Sequence, residues 1–294
     1  MKVRFGFTLG PETAPEELGD LVDDLERLEF DNLWVPEVLS RPVLDPIVTL
    51  TFAAARTRRL KLGAHLIIPG RHPVHLARQL AHLDRVSNGR LLLVGVLGIA
   101  DEADRGAQGI GRKERAASLE EVVPLLRRLW TGEAVDHEGP RYRLSGVRVS
   151  PTPRQKPLEL WLGGQAPAAL RRCGRLGDGW MPGLIAPDKA LDLRRQVEAA
   201  AAAAGRHMDP EHYGVNLFYA SEAVSERVLA GLGLDPSDRS RTDLVCIGLD
   251  AVRRRAEEWI ERGFSKFLLY PVAEPRDRTA ELEALAEKVL PLRS

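Results

Sequence analysis

The sequence predicts an α/β fold, a (β/α)8 TIM barrel with an insertion between its fourth and fifth units. Three observations carry that expectation. Short β-branched or leucine-rich runs alternate with helical apolar patterns about eight times, and such alternation implies a parallel sheet. The chain has 294 residues, which suits a barrel of about 250 residues plus an insertion. The regularity lapses once, over 131–157, where Pro140, Pro151, Pro153 and Pro157 punctuate the chain. A single domain over 1–294 is expected. An open doubly wound sheet in two halves, with 131–157 as their linker, is the alternative.

Residues 2–9 read as a buried first strand. Pro15, Glu16 and Glu17 open a helix, because proline suits the first turn and acids suit the positive end of the helix dipole. Its apolar face is Leu18, Leu21, Val22, Leu25 and Leu28, at helical spacing. Residues 32–35 are a second strand. Asp45 before Pro46 is an N-cap signature leading into 47–55. Residues 60–68 form strand three, broken by Pro69-Gly70. Pro73 starts a helix that Ser87-Asn88-Gly89 ends with residues tolerant of left-handed backbone. Strand four, 91–97, is nearly all apolar, as a strand covered on both faces should be. A helix over 111–130 follows, with a kink or break expected at Pro124. Within the irregular stretch, 135–144 suggests a hairpin around Glu138-Gly139-Pro140. Strands at 158–162, 178–181, 212–220 and 265–270 then alternate with helices at 167–176, 188–204, 251–262 and 278–289.

In a barrel, chemistry sits at the carboxyl ends of the strands, and that rule selects residues. Glu37 ends strand two, as an acid or base or as a structural carboxylate capping a loop. His65 lies in strand three, as a core or a pocket residue. Gly163-Gly164 runs straight into a helix whose first residues include Pro167. Unpaired N–H groups at such a start suit an anion, although an ordinary βα turn has the same spacing. Gly95-x-x-Gly98 and Gly106-x-x-Gly109-x-Gly111 lack the strand–turn–helix context of a dinucleotide fingerprint. His75, Gln79 and His82 share a helical face without an evident third ligand, so no metal is expected.

Composition excludes other classes. Lys+Arg and Asp+Glu number 42 each, which disfavours nucleic acid as a partner. Hydrophobic residues make up 44%, too many for a disordered chain, and no apolar run reaches the roughly 20 residues of a membrane span. Cys173 and Cys246 are the two cysteines, and reduced thiols in a cytoplasmic protein are the expectation.

In order along the chain, Phe30-Asp31-Asn32-Leu33-Trp34-Val35-Pro36-Glu37, Leu62-Gly63-Ala64-His65-Leu66, Arg71-His72-Pro73-Val74-His75-Leu76-Ala77, Ser87-Asn88-Gly89-Arg90-Leu91, Trp161-Leu162-Gly163-Gly164 and Gly177-Asp178-Gly179-Trp180 resemble the luciferase-like flavin monooxygenase superfamily. The nearest branch is the one that uses the deazaflavin F420. The resemblance covers roughly the whole chain and implies the barrel with its insertion. It implies a non-prolyl cis peptide at His65–Leu66 behind the flavin ring. It also places Leu97, Gly98, Gly163, Gly164, Gln165, Met181, Pro182 and Gly183 along the ring and the phosphate-bearing tail. Glu37 and His65, chosen by their places on strands two and three, are the catalytic candidates. The sugar-phosphate dehydrogenases of this branch carry a histidine where this chain has Val38 and a glutamate where it has Ile99, so a sugar phosphate is disfavoured as substrate.

The implied activity is F420-dependent hydride transfer between deazaflavin C5 and a small organic substrate. The alternatives are an FMN-dependent monooxygenase fed with reduced flavin by a separate reductase, and a non-catalytic flavin- or deazaflavin-binding protein. A homodimer is implied as well.

Overall fold

Each apolar run becomes a parallel strand, and each amphipathic run becomes a helix that covers one side of it. The computed structural model describes all residues except Ala100, Leu232, Gly233 and Pro236. In chain order it contains β1 (Arg4–Thr8), a 3-10 turn at Pro15–Glu17, α1 (Leu18–Arg27), β2 (Asn32–Pro36), α2 (Pro46–Arg56), β3 (Lys61–Ile67), α3 (Pro73–Val86), β4 (Leu91–Val96), α4 (Glu102–Ala107) and α5 (Arg115–Leu129). The hairpin strands β5 (Val135–Glu138) and β6 (Arg143–Val147) come next, then β7 (Trp161–Gly163), α6 (Pro167–Leu176), β8 (Trp180–Met181), α7 (Pro187–Ala203) and β9 (Gly214–Ala220). The chain closes with α8 (Glu226–Gly231), α9 (Arg239–Thr242), β10 (Cys246–Ile247), α10 (Leu249–Glu261), β11 (Lys266–Pro271), α11 (Arg278–Val289) and a 3-10 turn at Leu290–Leu292.

The chain divides into two compact units, Met1–Trp34 with Trp161–Ser294, and Val35–Leu160. In the first, parallel strands run in the order β10-β9-β11-β1-β2. β7 pairs with β8 in parallel, and Trp180 bridges to Tyr213 just before β9. The register sets Thr8 beside Trp34, and Tyr270 beside Phe218. One face carries Phe5, Phe7, Leu33, Phe267, Leu269 and Leu217, each at most 3% exposed. Tyr219 shares that face, and its hydroxyl donates to Glu281 of α11 at 2.8 Å, so this is the helix-covered side. Alternation then sends Thr8, Trp34, Tyr270 and Phe218 to the opposite side.

In the second unit β3 and β4 pair in parallel from Leu62↔Leu91 to Ile67↔Val96. The Ser87-Asn88-Gly89 stop behaves as expected, with φ of 62° at Asn88 and 79° at Gly89. Arg90, next to it, is a structural hub. Its guanidinium donates to Thr57 Oγ1 (2.7 Å), Leu60 O (2.6 Å), Ala54 O (3.1 Å), Thr57 O (3.0 Å) and Ser87 O (2.6 Å). Buried Asp84 accepts from Arg154 N (2.7 Å), Gln155 N (2.9 Å) and Gln155 Nε2 (2.7 Å), which ties the exit of the 131–157 stretch to α3.

Several expectations change. The His65–Leu66 bond is trans: among the described residues the cis bonds are Ser150–Pro151 and Lys156–Pro157. The ladder runs in register through both positions, His65↔Val94 and Leu66↔Gly95, with no bulge to accommodate a reversed peptide. α5 continues through Pro124, which lies on a helix anchored on both sides of it by buried leucines and valines. α4, α8, α9 and β10 are additional short elements, without an apolar period long enough to announce them. The fifth strand shortens to Trp161–Gly163, since Leu158 and Leu160 are buried but lie before the ladder begins.

Candidate active site

In the second unit the end of β2 is tied to the end of β3. Glu37 N donates to His65 O at 3.1 Å. The Glu37 carboxylate accepts from Ile67 N at 2.7 Å through Oε2 and from the Arg71 guanidinium through Oε1. Arg71 Nε also donates to Ile67 O at 3.1 Å. Both carboxylate oxygens are therefore engaged, the geometry of a structural tie at a strand tip. Burial raises the Glu37 pKa, with Arg71 and the Ile67 amide pulling the other way. His65 sits in β3 on the same ladder, and burial pushes its imidazole down to about 4. It is therefore neutral at pH 7. Leu66, its neighbour, is fully buried.

At the end of β4, Leu97 O accepts from Arg115 Nη1 at 3.0 Å. Gly98 has φ +84°, and a Cβ there would run into the Gln108 amide and the Asp104 carboxylate, so glycine is required on both counts. Asp104 accepts from Leu39 N (2.7 Å), Ser40 N (3.3 Å) and Gln108 Nε2 (3.2 Å). Burial, then the guanidiniums of Arg105 and Arg112, press the Arg115 pKa down. Among the described residues seven buried side-chain polar atoms lack a partner. Four of them, Arg105 Nε, Gln108 Oε1, Arg115 Nε and Ser118 Oγ, fall in this one segment.

These residues were not anticipated. Arg115 reads in the sequence as one more basic residue at a helix start, and its partner, Leu97 O, lies 18 positions away. The one available signal was the acid- and glycine-rich run that follows strand four.

In the first unit the two glycine-bearing strand ends lie side by side, with Gly163 opposite Met181. Gly164 has φ +118°, and its carbonyl accepts from Trp180 Nε1 at 2.8 Å. Gln165 Nε2 donates to Leu184 O at 3.2 Å, and Pro182 O accepts from Asn216 Nδ2 at 3.0 Å. Gly183 is open: the nearest atom a Cβ would meet is Gln165 Nε2 at 3.8 Å. Helices α6 and α7, which follow these ends, both start Ala-Pro, at Ala166-Pro167 and Ala186-Pro187, with no side-chain cap. The first residue of each is a proline without an N–H, and in α6 Ala169 N turns back to Ala166 O at 2.8 Å, so few amides at these starts remain for water or a ligand. Gly163, Gly164, Gln165, Met181, Pro182 and Gly183 thus form one cluster, and Glu37, His65, Leu97 and Gly98 line strand ends of the other unit.

Among the described residues no group of three or more His, Cys, Asp or Glu is placed to hold a metal ion. No helix is long and apolar enough to cross a membrane. Both cysteines are free thiols, buried in the structure.

Known proteins resemble this chain in sequence and in fold. Over 260 residues the chain is 30% identical to an F420-dependent glucose-6-phosphate dehydrogenase of Nakamurella multipartita, covering 81% of this chain and 75% of that one. Other curated relatives of the same kind are matched over little more than half of their length. The monooxygenase RslO1 of Streptomyces bottropensis is 26% identical, with a TM-score of 0.79 over 98% of this chain and 99% of its own. An F420-dependent secondary alcohol dehydrogenase, solved with an F420–acetone adduct, shares the fold at a TM-score of 0.83 over the whole of both chains, with 17% identity. The luciferase-like monooxygenase family matches residues 2–286. The chain belongs to that family.

Proposed function

We propose that this protein is an F420-dependent oxidoreductase that moves a hydride between deazaflavin C5 and a small organic substrate. The observation that carries it is the donor set at the end of β4. In the segment after Gly98, Arg105 and Arg115 each carry a buried Nε–H without a partner. An unpaired buried polar group costs about 1–3 kcal/mol, so such a concentration fits a site completed by an anionic, hydrogen-bonding ligand. In the first unit, the start of α6 lacks a side-chain cap, a separate position that suits an anion. These donors fit the phosphate-bearing tail of such a cofactor. When bound, F420 supplies a ring carbon that accepts or gives a hydride, and the protein supplies position and exclusion of water.

The chain's own groups then have separate tasks. In the second unit Arg105 and Arg115 hold an anionic group, and in the first Gly183 leaves its backbone open to approach. Neutral His65 is a hydrogen-bonding group beside the ring, and Glu37 orients Arg71 and the tips of β2 and β3. The choice of F420 over FMN follows the naming of the curated relatives. RslO1, named a monooxygenase, favours the second reading, an FMN-dependent monooxygenase.

We read the parallel strands β1, β2, β3, β4, β7, β8, β9 and β11 as the eight strands of a closed (β/α)8 barrel. On this reading the chain is one domain with 131–157 inserted, and the TM-scores near 0.8 support it. The homodimer, the cytoplasmic location and a separate reductase rest on the family resemblance.

Titrating the purified protein with each cofactor tests the proposal. Submicromolar binding of F420, with bleaching of its absorbance on addition of a reductant substrate, is expected. Submicromolar binding of FMN with none of F420 would reverse the choice.

A further inference from the structure

The first unit carries a second feature at the carboxyl ends of its strands, on the side away from the helices. Phe218 of β9 and Tyr270 of β11 are register partners, stacked with ring centroids 4.8 Å apart and planes at 27°. Both are half-buried, unlike the residues alternating with them, which are covered by helices. Thr8 and Trp34 continue the same row on β1 and β2 as its buried back wall. Asn216, one row below Phe218 and half-buried, has its amide nitrogen held by Pro182 O, which leaves the amide oxygen as an acceptor. Around Phe218 the rim is apolar, with Leu184, Val224 and Val228 packed on the cluster of Ala220, Leu234, Val245 and Val272.

Charge is neutralised beside this row. The two guanidiniums that follow β11 are already engaged, Arg278 by Glu17 and Glu274, and Arg276 by Glu222 at 3.8 Å. A sugar phosphate needs cationic donors and many polar partners, because stripping a phosphate of water without them is costly. A stacked aromatic pair with an aliphatic rim, the Asn216 amide oxygen and the Tyr270 hydroxyl offers the reverse: an apolar, π-rich surface with few polar groups and no cation.

We propose that this Phe218–Tyr270 shelf is the substrate-binding surface, and that it takes an uncharged, flat or ring-shaped organic compound bearing one hydroxyl or similar donor, and not a sugar phosphate. The assignment of the shelf to substrate rests on the oxidoreductase reading. The cofactor-binding positions of this unit follow β7 and β8, which leaves the ends of β9, β11, β1 and β2 for the second reactant. It agrees with the absence of histidine and glutamate at Val38 and Ile99.

The test is equilibrium binding of 2-naphthol to the full chain, followed by tryptophan fluorescence, with glucose 6-phosphate as competitor and F420 affinity measured separately on the same preparations. Saturable 2-naphthol binding is expected. It should weaken about tenfold in Phe218→Ala and in Tyr270→Ala, through loss of ring contact and buried area. Tyr270→Phe, which keeps the ring, should retain the affinity and shows whether a loss in the alanine variant is merely a folding defect. F420 binding should be unchanged throughout, and glucose 6-phosphate should not compete. Competition by glucose 6-phosphate, or 2-naphthol affinity unmoved by both alanine variants, overturns the proposal. Loss of F420 binding in the parent chain, with the naphthol results intact, overturns the oxidoreductase reading instead, so the two failures are distinguishable.

Discussion

His65 has an imidazole whose pKa burial lowers from 6.5 to about 4. The unfolded chain therefore binds more protons than the folded one between those values, and stability falls as pH drops from 6.5 toward 4. Each pKa unit corresponds to about 1.4 kcal/mol, and the partly exposed ring discounts the total to about 2 kcal/mol. In urea unfolding at pH 7 and pH 4.5, His65→Gln should remove that much of the acid sensitivity. An unchanged difference between the two pH values would show that His65 is not the source. At this scale the sequence speaks clearly where a residue's partner is local. Asp45 caps α2 by accepting from Val48 N at 2.9 Å, and Asn88-Gly89 turn left-handed within their own loop. It is silent where the partner is distant: nothing near Arg71 in sequence points to Glu37, and nothing near Arg115 points to Leu97.

The inserted hairpin shows how an element acquires a role that its own residues do not announce. Glu121 of α5 accepts at Oε1 from Tyr142 N (3.2 Å) and Arg141 N (3.4 Å), and pairs with His137 at 2.9 Å. Tyr142 in turn donates its hydroxyl to Arg71 O at 2.9 Å, and Arg71 clamps Glu37. The hairpin is thus latched to α5 and reaches the tie between β2 and β3. Glu121→Ala should strand several donors and cost about 2–3 kcal/mol, whereas Tyr142→Phe should cost about 1 kcal/mol. Hydrogen exchange should quicken at the β5–β6 amides in both variants, ahead of those in α5; equal quickening in α5 would mean the whole unit loosens. Helix bounds were legible where chemistry marks them. α6 opens on Pro167, and α11 opens behind Asp277, whose side chain accepts from Ala280 N at 3.0 Å. α4 was missed because six residues with three charges and a glycine have no apolar stripe to read.

For the molecule as a whole, the balance of 42 basic and 42 acidic residues leaves no net field to draw in an anionic cofactor. Attraction would have to be local, and on the reading proposed above the candidates are the unpartnered Nε atoms of Arg105 and Arg115 and the uncapped starts of α6 and α7. The parallel α/β plan was readable because alternation is a property of the chain itself. The two-unit partition and the short elements before α10 were not, since they depend on which distant surfaces pack.

The alanine that opens α6 carries one more consequence. Alanine is among the poorest residues for starting a helix, and aspartate among the best, worth about 1 kcal/mol. Selection keeps only the stability that function needs, so a missing cap is ordinary in itself; on the cofactor-binding reading proposed above, Ala166 also leaves the helix start without a carboxylate that would repel a phosphate. Ala166→Asp should raise the thermal midpoint by a few degrees while weakening F420 binding at least tenfold. A gain in both would show that the helix start is an accident of descent and not a reserved handhold.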